Sequence, residues 1–146
     1  MIFLLIVLLA AAILLIFGLP GCSAPDPTLL NEKVVEMIDR DAAHDTEGAY
    51  AMLYPGVTDR ETFLSTIEWI YEYFPVTEGY TWELEQWNST KQLAGGDLVT
   101  QNGIYRVEFE GRTFHVVAGW RSDENGSGFT RFQVINEEDW AAAQKQ

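Results

Sequence analysis

The hydrophobic pattern divides the chain into three regions. Met1–Phe17 is a run of 17 apolar residues, typical of a secretory signal or a membrane-spanning helix. Between residues 28 and 74, apolar positions recur every three or four residues, which predicts amphipathic helices. Between residues 80 and 135 they alternate with polar positions, which predicts strands with one buried face. The pattern therefore predicts a signal helix followed by an α+β domain.

The first helix of the domain is predicted to follow Asp26, which we expect to cap it, with Pro27 at the first helical position. Charged residues alternate with its apolar ones and predict a solvated opposite face. The stripe that we expect this helix to bury consists of residues at helical spacing: Leu30, Val34, Met37, Ile38 and Ala42.

Two more helices are predicted before the strands begin. Asp45-Thr46 can cap a short helix, which Pro55-Gly56 ends. Thr58-Asp59-Arg60-Glu61 matches a capping box, in which the Thr58 hydroxyl and the Glu61 carboxylate bond to free backbone N–H groups. The helix that starts there extends until Pro75 ends it.

Alternating segments predict strands around residues 80–84, 105–109, 114–120 and 132–134. Leu98-Val99 either begins a strand that continues past Asn102 or forms a separate short one. Short turns require antiparallel neighbours, so we predict N-terminal helices packed on a curved antiparallel sheet. Four pairs between the strands favour tight turns: Gly95-Gly96, Asn102-Gly103, Glu110-Gly111 and Asn125-Gly126.

Charge and composition narrow the function classes. The chain has 9 Lys and Arg against 22 Asp and Glu, a net charge of −13, and no charged residue precedes Asp26. An acidic domain repels phosphates, so we expect no nucleic-acid partner. The single cysteine excludes an internal disulfide and a cysteine-rich zinc site. We expect no metal and no cofactor.

The segment Leu19-Pro20-Gly21-Cys22 resembles a bacterial lipobox, with a branched apolar residue three before the cysteine and a small residue next to it. The resemblance implies that Cys22 carries acyl chains such as palmitate, and that the Gly21–Cys22 bond is cut. It divides the chain into a signal peptide (1–21), a tether (22–27), an α+β domain (28–139) and a tail (140–146). The mature protein is then lipid-anchored to the extracytoplasmic face of a bacterial cell membrane.

An uncleaved N-terminal helix is the alternative anchor. No Lys or Arg precedes the apolar run, and Pro20 is uncommon at its lipobox position. In that case the N-terminal helix itself holds the protein in the membrane, and Cys22 is an unmodified thiol. Both alternatives place the acidic domain outside the cytoplasm.

The order of the predicted elements resembles the nuclear transport factor 2-like, or cystatin-like, cone. The matching stretches are residues 45–55 leading into 58–74, then 105–111, then 128–135. They are similar to an uncharacterised lipoprotein branch of that superfamily, over residues 28–135. Because the superfamily includes isomerases, dehydratases and non-catalytic binding domains, the resemblance leaves the function open.

Aromatic residues on the predicted strands suggest where a ligand would bind. A pocket at the rim of a cone is expected to be lined by Trp82, Tyr105, Trp120 and His115. His115 is expected to be partly exposed on the strand face opposite Phe114, whereas His44, between Asp41 and Asp45, is expected at a solvated helix end. An exposed patch for a partner is predicted from residues outside the simplest apolar faces: Trp69, Tyr73 and Trp87.

Catalytic motifs give little support for an enzyme. Asp123–Gly128 matches the first half of a calcium loop, but Val134 stands where a glutamate is needed, so a hairpin turn is favoured. We therefore expect a membrane-anchored, non-catalytic domain that binds a partner protein or a small apolar ligand. A small cone-fold enzyme of the isomerase or dehydratase type is the alternative, and the acid–base residue types it needs are supplied by Asp97, Glu108, Tyr80 and Tyr105.

Overall fold

The computed structural model describes residues 26–92 and 95–145. The lipobox-like segment with Cys22 and the predicted signal helix lie outside these residues. Within them, no helix is both long and apolar enough to cross a membrane. The elements are α1 (Thr28–Ala42), α2 (Thr46–Ala51), α3 (Arg60–Tyr73), β1 (Thr81–Gln92), β2 (Leu98–Phe109), β3 (Arg112–Asp123), β4 (Gly126–Asn136) and α4 (Glu137–Ala143).

The four strands form one antiparallel sheet in the order β1-β2-β3-β4. The predicted turn between β2 and β3 is confirmed: Glu110 and Gly111 have φ angles of 50° and 71°, as a type I′ hairpin requires. The next turn is shifted from the predicted pair, because Asp123 already pairs with Gly126. The α+β prediction, with helices packed on an antiparallel sheet, is confirmed.

The turn predicted at Asn102-Gly103 is wrong, because β2 runs through both residues. Leu98 therefore begins the long strand, which settles the alternative that the sequence left open. The reason for the glycine is packing. A Cβ atom at Gly103 would lie 2.7 Å from Cε2 of Tyr105 and 3.0 Å from Cδ2 of Leu30, so only glycine lets α1 approach the sheet here.

The core lies between α1 and the inner face of the sheet. The predicted α1 stripe is buried, except that Ala42 is only half-buried. From the sheet it meets side chains that alternate along the two central strands. The core side chains of these two strands include Tyr105, Val107, Phe109, Phe114, Val116 and Trp120.

Two helix starts differ from the prediction. Helix α1 begins at Thr28, with Pro27 before it, and the Asp26 carboxylate accepts a hydrogen bond from the Thr28 N–H at 2.9 Å. Helix α3 is capped by Asp59, which accepts from the Thr62 N–H at 2.8 Å, rather than by Thr58. The capping box is wrong by one residue because the aspartate is an equally good cap.

The boundary predicted at residue 139 falls inside α4. The Asn136 side chain accepts a hydrogen bond from the Asp139 N–H at 2.8 Å and caps this helix. Trp140 then lies against the outer face of the sheet, where its ring stacks on His115 at a centroid distance of 4.5 Å. Residues 140–143 are therefore part of the folded domain.

Candidate functional site

A cavity of about 180 Å³ opens between α1, α3 and β4. This is close to the volume of an apolar cavity (~150 Å³) that binds benzene in an engineered protein. The exposed Val57 lies on its rim. Most of its wall is apolar and aromatic: Met37, Phe63, Ile67, Ile70, Phe129 and Phe132.

The loop that follows α2 forms one side of the cavity because it pairs with β4. The Phe129 N–H donates to the Met52 carbonyl and the Tyr54 N–H donates to the Phe129 carbonyl, each at 2.9 Å. A Cβ atom at Gly128 would lie 2.4 Å from the Tyr54 nitrogen, so this close approach requires glycine. The pairing holds Leu53 and Phe129 next to each other on the cavity wall.

The cavity remains because helix α3 buries only part of its apolar face against the domain. Its predicted apolar face is only partly used, since Ile67 is its one buried side chain and Phe63 and Ile70 are half-buried. Well-packed interiors leave few voids larger than a water molecule. A space of this size beside half-buried aromatic and aliphatic side chains can accept an apolar molecule.

Asp41 brings a buried carboxyl group to the wall of this cavity. It lies near the C-terminal end of α1, is 4% exposed, and its Oδ1 atom is buried without a hydrogen-bond partner. Burial raises the pKa of the Asp41 carboxyl to about 7. The negative end of the helix dipole also disfavours a carboxylate here. A ligand in the cavity therefore meets a carboxyl group that changes charge near neutral pH.

Three of the four pocket residues predicted from the sequence belong to the inner face of the sheet. Tyr105 is fully buried and its hydroxyl donates to Oδ1 of Asn31 at 2.9 Å, while Trp120 packs edge-on against Phe129. Trp82 is 39% exposed and its ring tilts over Tyr105. None of them lines the cavity: Tyr105 and Trp120 fill the core beside it, and Trp82 stays exposed outside that core.

His115 does not share a site with those three residues. It lies on the outer face of the sheet, as predicted, but the expectation of partial exposure is wrong because α4 covers it. Its Nδ1 atom is 3.2 Å from Oε2 of Glu85, and its Nε2 atom is 2.7 Å from Oε2 of Glu137. His115 therefore joins β1, β3 and α4, away from the cavity.

The residue types of an acid–base enzyme do not converge. The Tyr80 hydroxyl donates to Oδ1 of Asp39 at 2.8 Å, and the Tyr105 hydroxyl is bonded to Asn31. Asp97 and Glu108 are exposed. In the ranges 26–92 and 95–145, no three or more His, Cys, Asp and Glu residues are grouped so that they could hold a metal ion.

The aromatic patch predicted for a partner is only partly exposed. Trp69 is 59% exposed and stacks on Tyr73 at a centroid distance of 4.8 Å. Trp87 is half-buried and packs against the core. The exposed aromatic surface of this patch is therefore centred on one residue of α3.

The position of Asp41 in the sequence could have identified it as a candidate site residue. The residue lies four positions after Met37 and three after Ile38, so it continues the buried stripe of α1. A charged residue in such a stripe is unusual, because aspartate is rarely fully buried unless it is paired. That exception marks the residue as a site candidate.

Comparisons with known proteins establish likeness at the level of the fold. No protein-family model matches the sequence. No curated protein matches it either. Among solved structures, the chain is similar to Aln2 from a Streptomyces species, with a TM-score of 0.50 and 13% identity. The match covers 83% of this chain and 99% of that one.

Proposed function

We propose that this domain binds a small apolar ligand in the α1–α3–β4 cavity and does not catalyse a reaction. The observation that carries the proposal is Asp41, a nearly buried carboxyl group that lines a mostly apolar cavity and whose Oδ1 atom has no hydrogen-bond partner. An unsatisfied buried polar atom costs about 1–3 kcal/mol. A ligand with a hydrogen-bond donor can pair with the Asp41 carboxyl group, and the apolar part of the wall supplies the rest of its binding energy.

Binding is favoured over catalysis because the cavity offers a single buried ionisable group among the described residues. Its other ionisable lining residue, Arg131, is exposed and donates to Oε1 of Gln133 at 2.7 Å. Acid–base catalysis of the isomerase type needs a second group that faces the first across the substrate. Asp41 has no such counterpart on the wall.

The proposal also covers the membrane anchor of the domain and its fold family. The Leu19-Pro20-Gly21-Cys22 segment supports a lipid anchor at Cys22 on the extracytoplasmic face of a bacterial membrane. The order of the elements supports a nuclear transport factor 2-like cone, and the fold-level similarity to Aln2 is compatible with it. A protein partner is a second candidate, supported by the exposed stack of Trp69 on Tyr73.

Filling the cavity tests the ligand proposal. We expect Ile70→Phe to remove binding of single-ring compounds, because the added volume takes the space that they occupy. Leu64→Phe is the matched control, since Leu64 is also half-buried on α3 but does not line the cavity. Binding is measured by protein-observed NMR titration with benzyl alcohol. Equal binding by the wild type and the Ile70→Phe variant would contradict the proposal.

A further inference from the structure

We propose that the ligand is a small amine with an apolar, one-ring body, whose ammonium group pairs with the Asp41 carboxylate. This inference rests on the proposed function and names its ligand class. It follows from which groups near the cavity are already paired, from the rings on its wall and from the charge of the domain.

The cations near Asp41 are engaged elsewhere. On α1, the Arg40 guanidinium lies 2.8 Å from Oε1 of Glu36 and 2.6 Å from Oδ2 of Asp45. Lys33, on the same helix, pairs with Glu36 at 2.9 Å. The protein therefore leaves the Asp41 carboxylate without a positive partner on its own helix.

The other two elements around the cavity each carry one arginine. Arg60, the first residue of α3, is paired with Glu47. Arg131 of β4 lines the cavity, but it is exposed, so water screens its charge, and its guanidinium donates to the neutral side chain of Gln133. A buried carboxylate needs a partner, and here the ligand can supply it.

The wall of the cavity suits the body of such an amine. Phe63, Phe129 and Phe132 line it, and aromatic faces attract ammonium groups by about 0.5–2 kcal/mol. The volume of about 180 Å³ limits the body to roughly one ring with a short substituent. A primary ammonium brings three N–H donors, and the Asp41 carboxylate on the wall is an acceptor.

The negative charge of the domain also favours a cationic ligand. The chain carries a net charge of −13, all of it after residue 25. A field of that sign raises the local concentration of small cations and lowers that of anions. A carboxylic acid of the same size is therefore disfavoured both by the field and by Asp41.

The test compares benzylamine with benzyl alcohol, which has the same ring and a neutral head. The full-length chain, held in nanodiscs of zwitterionic lipid, is titrated with each compound at pH 8 by NMR. We expect benzylamine to bind at least about tenfold more tightly than the alcohol, as one charged hydrogen bond allows. Asp41→Asn should abolish that difference. Glu32→Gln, which changes a carboxylate on the same helix that does not line the cavity, should keep it.

Lowering the pH gives a second readout on the unmutated protein. Because the pKa of Asp41 is raised to about 7, lowering the pH from 8 to 6 should weaken benzylamine binding about tenfold, in proportion to the ionised fraction. Other titratable or charged groups lie close by: Arg131 on the cavity wall, His44, whose backbone N–H donates to the Asp41 carbonyl, and Tyr71, which stacks on His44. The pKa of Tyr71 on α3 is raised by burial, so it stays neutral in this range.

The outcomes separate the two proposals. Tighter benzylamine binding that needs Asp41 and falls with pH supports the amine class. Equal binding of both compounds, lost in Ile70→Phe, overturns the amine class and leaves the ligand cavity standing. Binding of neither compound to the wild type overturns both proposals.

Discussion

At the scale of single residues, Asp41 opposes the stability of the fold at neutral pH. Burial in an apolar wall removes water from its carboxyl group, and the helix end adds an unfavourable dipole. The neutral form avoids most of that cost. The same property that makes Asp41 costly in the empty cavity makes it effective for a charged ligand.

Asp41 should make stability depend on pH. The pKa of its carboxyl is about 7 in the folded protein against 3.8 as the ordinary value, so the folded state binds the proton more tightly. The stability from the neutral group is complete below about pH 4 and is lost as the pH rises through about 7. We expect Asp41→Asn to raise the free energy of unfolding at pH 8 by a few kcal/mol, since one pKa unit equals about 1.4 kcal/mol.

Urea unfolding at pH 4, 6 and 8 measures this effect, and Glu32→Gln on the same helix serves as the control. The gain in the Asp41→Asn variant should shrink steadily towards pH 4. A gain that does not change with pH would mean that the neutral amide stabilises for another reason.

Gly103 tests the packing of α1 on β2. Gly103→Ala forces a Cβ atom against the rings and methyl groups of Tyr105 and Leu30, and overpacking of this kind costs about 1–3 kcal/mol. Thermal unfolding of this variant should therefore move to a lower temperature. Asn102→Ala, at an exposed position of the same strand, should have a smaller effect. An unchanged melting temperature in Gly103→Ala would show that α1 can move away from the sheet without loss.

At the scale of elements, α4 packs on the outer face of the sheet and belongs to the folded domain. Helix α4 brings Glu137 and Trp140 to the buried His115, whose ring nitrogens also face Glu85 of β1. A ring with carboxylates at both nitrogens donates from both only when it is protonated. Two strands and the last helix are therefore joined through one side chain.

Two tryptophans, each stacked on another ring, allow a matched comparison. We expect Trp140→Ala to lower the free energy of unfolding by about 1–3 kcal/mol, because it uncovers His115 and removes aromatic stacking. Trp69→Ala should change it by less than about 0.5 kcal/mol, since Trp69 is 59% exposed. Chemical denaturation of both variants measures these two changes in the free energy of unfolding. Equal losses would mean that the exposed stack on α3 stabilises the domain as much as α4 does.

At the scale of the whole molecule, a strongly acidic domain needs something other than charge to keep it at a membrane. Its net charge of −13 repels anionic lipid, and the proposed acyl chains on Cys22 supply the attachment. The first described helix begins at Thr28, so the proposed tether is short. A cavity for a small cation would then lie close to the membrane surface.

Mass spectrometry of membrane-extracted protein tests the anchor. We expect the mature chain to begin at Cys22 and to carry the mass of its acyl chains. Cys22→Ser should leave the chain uncleaved, because the thiol that accepts the lipid is gone. An intact N-terminus with an unmodified Cys22 in the wild type would support the uncleaved helix instead.

Local patterns in the sequence were enough to predict the elements whose signals are short-range. Helical spacing in α1 and the Glu110-Gly111 turn depend on neighbours within a few residues, and both were predicted correctly. Such patterns also give the order of helices before strands. The α+β class follows from that order because antiparallel strands joined by short turns have few other ways to bury one face.

Features that depend on residues far apart in the chain became visible only in the fold. Gly103 resembles a turn until α1 packs on it, and His115 resembles a half-exposed strand residue until α4 covers it. Asp41 acquires its raised pKa because α3 and β4 remove its water. No local pattern records these contacts, since each is made by elements that only the folded chain brings together.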